Sequence, residues 1–106
     1  MTSHNNDDLG HDLEITKTEN RNVGGTWVTG TLHGHRFEAL VFAEHAESEE
    51  YELSDSRISK LWVHRFADRQ TTFSWDRGLD LPAADQTTQA VVDFLAAGLA
   101  EHIFGT

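Results

Sequence analysis

Apolar and polar positions alternate over short runs until about residue 75, and then the period lengthens. Leu13 and Ile15 alternate with Asp12, Glu14 and Thr16, which predicts an edge strand over 12–18. Thr26 to His33, rich in Thr, Val and Trp, reads as a second strand. Arg36 to Glu44 reads as a third, joined to the second by a Gly34-His35 hairpin link. Ile58 to Phe66 is the clearest strand, Thr71 to Trp75 the last, and Tyr51 to Ser54 begins a short strand before them. Residues 19–25, with two Asn and two Gly, make a turn, as do residues 67–70. From about Ala84 to Phe104 the pattern is helical, with Val91, Val92, Leu95, Leu99, His102 and Ile103 in one stripe. Pro82 precedes that helix, Asp85 caps or charges its first turn, and Gly105 ends it. The expectation is an α+β fold: an antiparallel sheet of four to five strands, a strongly curved meander, with one C-terminal helix packed on it. Residues 1–11 hold a single aliphatic side chain, Leu9, and predict a disordered tail ahead of one domain over 12–106.

The strands place large apolar groups on both sides. Ile58, Lys60, Trp62, His64 and Phe66 share one side of their strand, with Leu61 and Val63 on the other. Phe37, Ala39 and Val41 oppose Leu40 and Phe42 in the same way. One helix covers one face only. The helix is also lightly charged, with Asp93 its only charge between Ala90 and Ala100. Ala90, Phe94, Ala97 and Phe104 lie away from its stripe and form a candidate interface. Either the sheet curls to cover its own second face, or a second copy covers the surplus in a homodimer.

Charge narrows the partners. The chain has 106 residues and a formal net charge of −10. Direct nucleic-acid binding needs a basic face, and an acidic membrane surface would repel this one. A basic protein partner fits, and an acidic mimic of nucleic acid is a weaker form of that idea, carried by the five glutamates of the loop from Glu44 to Glu52. No cysteine is present, which removes disulfide and thiolate chemistry. No apolar run approaches a membrane span, and the N-terminus lacks the pattern of a signal peptide. The expected location is the cytoplasm.

Two runs carry a resemblance. Arg57-Ile58-Ser59-Lys60-Leu61 and Trp75-Asp76-Arg77-Gly78-Leu79-Asp80 resemble the G-R-I-S-K-L and Y-D-R-G-W-D runs of an uncharacterised family of small bacterial and phage-associated domains. Trp27, Gly30, Phe37 to Val41 and Ser48 to Tyr51 fall in that family's order. The likeness spans residues 26 to 104. Ser56, Trp75 and Leu79 depart from it. The resemblance implies a compact sheet-plus-helix domain and carries over no catalytic or binding residue.

Candidate chemistry is sparse. Asp76, Arg77 and Asp80 place two acids beside an arginine at a strand end, and with Trp62 and Trp75 they form a candidate ligand-binding site. A structural turn using Gly78 is the plain alternative. Arg57 and Lys60 suit an anion, or salt bridges to nearby acids. His33 and His35, with His64 or Glu38, have the residue types of a metal site, but the turn between them removes the geometry, so no metal is expected. No nucleophile elbow, phosphate loop or dinucleotide fingerprint is present. No catalytic residue and no cofactor are indicated. The first functional expectation is a non-enzymatic, self-associating interaction domain or accessory subunit. The alternative is a small-molecule binder or small enzyme built on the tryptophans with Asp76, Arg77 and Asp80.

Overall fold

The computed structural model describes residues 12–48, 51–53 and 56–105. The expected disordered tail, 1–11, lies outside the described residues. Among the described residues six strands follow in chain order, each hydrogen-bonded antiparallel to the next: β1 Glu14–Asn20, β2 Thr26–Leu32, β3 His35–Val41, β4 Ile58–Arg65, β5 Gln70–Asp76 and β6 Leu79–Leu81. Helix α1, Gln86–Phe104, closes the chain and packs on one face over β3, β4 and β5. The meander thus has six strands rather than four or five. The extra edge strand, β6, is three residues long and hides in a sequence that reads as loop. The sheet is open, with β1 and β6 at its two edges. Residues 51–53, expected to begin a strand, are not strand. Among the described residues, no helix is long and apolar enough to cross a membrane.

Alternation decides which side chains enter the core. In β2, Thr26, Val28, Gly30 and Leu32 face the helix, while Trp27, Thr29 and Thr31 face the other way. Phe37, Ala39 and Val41 join them from β3. Gly30 is required: a Cβ there would sit 2.5 Å from the Glu14 carbonyl oxygen and 2.8 Å from the Phe37 ring. The β2–β3 turn is His33-Gly34, not Gly34-His35. Both residues have positive φ, 50° and 75°, as a tight two-residue hairpin needs. His35 is therefore in the ladder, 3 % exposed, with Nδ1 2.7 Å from the His33 carbonyl oxygen.

A bulge corrects the reading of β4. Val41 pairs with Ile58 but Leu40 pairs with Lys60, so one residue is extra. Ile58 then joins Leu61 and Val63 in the core, and Lys60, Trp62 and His64 remain on the open face. Strict alternation had put Ile58 with the latter, which inflated the apolar content of that side.

The helix begins two residues later than expected, at Gln86, because Asp85 is its N-cap, accepting from the Thr88 amide at 2.7 Å. Gly105, at φ 75°, ends it in a left-handed cap. Thr88, Val91, Val92, Leu95, Leu99 and Ala100 are buried. His102 is exposed, contrary to its place on the expected stripe; Ile103 is only half-buried, so the last turn sits at the core margin.

Candidate functional site

In a meander, alternate turns share an end. The first, third and fifth turns lie together at one end of this sheet, and each contributes an arginine: Arg21, Arg57 and Arg77. With Lys60 from β4 they line an open groove of about 1010 Å³ on the non-helix side. Four of the chain's eight lysines and arginines therefore meet in one place.

The β1–β2 turn is held by Arg21 itself, whose Nε donates to the Gly24 carbonyl at 2.7 Å. Its guanidinium stands 5.8 Å from the centroid of the Phe42 ring. Gly25 lets this happen: at φ 85° a Cβ would meet the Phe42 ring at 2.9 Å and Leu40 at 3.0 Å. In the β5–β6 turn, Arg77 has φ 59°, its amide donates to the Ser59 carbonyl at 2.9 Å, and its guanidinium lies 4.8 Å over the Tyr51 ring. Arg57, at φ 65°, donates from Nη1 to the Ala43 carbonyl at 2.8 Å.

Residues 43–48 of the β3–β4 connection line the groove too, and a buried carboxylate pins them. Glu52 is 5 % exposed and accepts from the Ala46 amide at 2.8 Å, with His45 Nδ1 also 2.8 Å away. Burial pushes its carboxyl up, but the bonds from the Ala46 amide, from His45 and from the Arg57 amide outweigh burial and hold it below the usual glutamate range. Of the five glutamates expected in an exposed loop, this one is structural.

The expected ligand residues separate. Arg77 lines the groove and Asp76 stands at its margin, 3.5 Å from Lys60. Asp80 accepts from the Ser74 hydroxyl at 3.3 Å. Trp62 is on the open face, stacked with Trp27 at 5.9 Å and 17°. Trp75 is on the helix face, packed against the core, its buried Nε1 without a hydrogen-bond partner among the described residues. The two tryptophans thus lie on opposite faces of the sheet. On the helix, Ala90 and Ala97 are exposed, whereas Phe94 and Phe104 are half-buried against the core. His33, His35 and His64 do not converge; His64 Nδ1 is 3.0 Å from the Thr71 hydroxyl, and no three metal-ligating groups come together among the described residues.

Arg21, Phe42 and Tyr51 were not singled out by sequence. The signal for them was the placement of one arginine in every odd turn of a meander.

A family model described as a domain of unknown function matches residues 26–100. The match takes in β2 through most of α1, including Phe42, Tyr51, Arg57, Lys60 and Arg77; Arg21 falls outside it. No curated protein and no solved structure matches the chain.

Proposed function

The chain belongs to this family, DUF7678, and from that premise we propose that it is a non-enzymatic binding domain whose working surface is the groove at the arginine-bearing end, taking a ligand with negative charge. One observation carries this. In a chain with 18 acids against 8 lysines and arginines, Arg21 and Arg77 rest on aromatic rings, and neither has a carboxylate within ion-pair distance among the described residues. Lys17, Arg36 and Lys60 each have one and Arg65 has two, while Arg69, exposed in the β4–β5 turn, has neither a carboxylate nor a ring among the described residues. A guanidinium stacked on a ring keeps its in-plane N–H groups directed outward, where a carboxylate or phosphate can take them.

The test is amide chemical-shift mapping on the full chain against nucleotides, sugar phosphates, di- and tricarboxylates, and acidic and basic peptides. The expected outcome is saturable shifts at 21–25, 43–48 and 77–78 that weaken with salt and in Arg77→Gln. Strongest shifts on the helix or at the opposite end of the sheet would refute the reading.

A second reading is cytoplasmic self-association as a homodimer. It is supported by Leu79 and Leu81, exposed at 59 % and 40 % on the β6 edge. A monomer mass by light scattering at micromolar concentration counts against it. Outside the groove, the acid excess suits a basic protein partner better than nucleic acid.

A further inference from the structure

We infer that the groove's ligand is compact and bifunctional: a flat ring joined to one anionic group. This rests on the anion-binding reading above and adds the class of molecule. The central carbon of the Arg77 guanidinium stands over the Tyr51 ring, 4.8 Å from its centroid. Both residues line the groove, and a guanidinium is a flat, weakly hydrated group on which a ligand ring can stack. Arg21 over Phe42 repeats the arrangement on the other wall. A bare inorganic anion would use neither surface and would leave most of the roughly 1010 Å³ unfilled.

Charge sets the size limit. The chain carries −10 overall, and Glu44 and Glu47 line the same groove as the arginines. An extended polyanion would have to leave the cationic patch and lie across acidic surface. A compact anion senses only charges within a Debye length, about 8 Å at physiological salt. The two glutamates also offer acceptors to ring N–H groups, which a bare phosphate lacks.

The experiment is calorimetry with amide-shift mapping on the full chain, using adenosine 5′-monophosphate, 1-naphthoate, adenosine, inorganic phosphate and hexaglutamate. Binding of the first two in the groove, with adenosine and phosphate each weaker by about tenfold or more, is expected; their order distinguishes a phosphate-bearing from a carboxylate-bearing source. Arg77→Lys keeps the charge and loses the plane, so it should weaken ring-bearing anions about tenfold and leave phosphate unchanged. Tyr51→Leu, at a 43 % exposed site, should do the same, and Arg36→Gln, outside the groove, should change nothing. Phosphate binding as tightly as the nucleotide, or Arg77→Lys binding like the parent chain, overturns the inference. Hexaglutamate binding tightest in the groove overturns the ligand class but keeps the anion-binding reading. Silence of the groove toward all five and toward the wider panel removes both.

Discussion

The two ends of the sheet use their arginines differently. At the end nearest the start of the helix, Arg65 reaches Asp68 at 2.7 Å and also pairs with Asp85, the helix N-cap. Those contacts tie the β4–β5 turn to α1. Asp68 and then Asp85 raise the Arg65 guanidinium, while Asp85 is held below the usual aspartate range first by the Thr88 amide and hydroxyl and then by Arg65. At the other end, Arg21 and Arg77 lie on rings, and the buried carboxylate of Glu52 is bound by a histidine and backbone amides. At the first end Arg65 is committed to the fold, while Arg69 in the same turn is exposed. At the second end Arg21 and Arg77 line a groove. Arg65 differs from Arg21 and Arg77 in its partners, which are carboxylates for the first and aromatic rings for the other two.

Glycine substitution should separate the two ends most sharply. Gly25 and Gly34 both have positive φ, at 85° and 75°, but a Cβ at Gly34 meets nothing within 4 Å while one at Gly25 strikes the Phe42 ring at 2.9 Å. Gly34→Ala therefore costs backbone strain alone, about 1 kcal/mol. Gly25→Ala adds overpacking, for a total of about 3 kcal/mol, and should also displace Phe42 and distort the groove. Urea denaturation reads the first difference and ligand titration the second. Equal losses would mean that the groove end is not packed as tightly as the distances indicate.

Glu52→Ala comes next, at about 2 kcal/mol, because it leaves the Ala46 amide without its acceptor. The carboxyl of Glu52 is lower in the folded chain than its ordinary value of 4.5. Its contribution is therefore complete above that value and is lost as pH falls through the folded one. Glu52→Gln should flatten the acid limb of the stability curve. Asp85 has the same sign, so Asp85→Asn should flatten it too, while leaving ligand affinity at the groove unchanged. An acid limb identical in both variants and the parent chain would contradict these assignments.

Much of this architecture is legible in the sequence, and what is not has a physical cause in each case. Strands β2 to β5 and the helix follow from period and caps, because each buries one regular face. The bulge in β4 is invisible to alternation: nothing in Ile58-Ser59-Lys60-Leu61 marks which residue is extra, and pairing with Val41 and Leu40 decides it. β6 is missed because Leu79-Asp80-Leu81 gains its strand geometry only from β5. For the site, sequence reached Asp76 and Arg77 by local spacing and weighed Arg57 and Lys60 as a separate pair. Convergence with Arg21, 36 to 56 residues away in the chain, is a property of the meander. The tryptophans misled for the opposite reason: Trp62 and Trp75 read as one wall, but Trp75 pairs with Leu61, next to Trp62 in β4, and so faces the helix.

The smallest effect on stability tests the contrast between the ends most directly. Arg77→Gln removes a side chain that is bound to a ring at an exposed turn, and its backbone bond to Ser59 remains available. The fold should change by no more than about 0.5 kcal/mol. Arg65→Gln removes the one guanidinium that Asp68 and Asp85 share, so it should lower the midpoint of thermal unfolding more than Arg77→Gln does, and added salt should narrow the gap by screening those exposed pairs. Ligand affinity should show the reverse order, weakened by Arg77→Gln and indifferent to Arg65→Gln. A paired measurement of melting and binding on these two variants reads both orders at once. Should Arg77→Gln prove the more destabilising, its stack on Tyr51 is a structural clamp, and the groove loses its best argument for being a site.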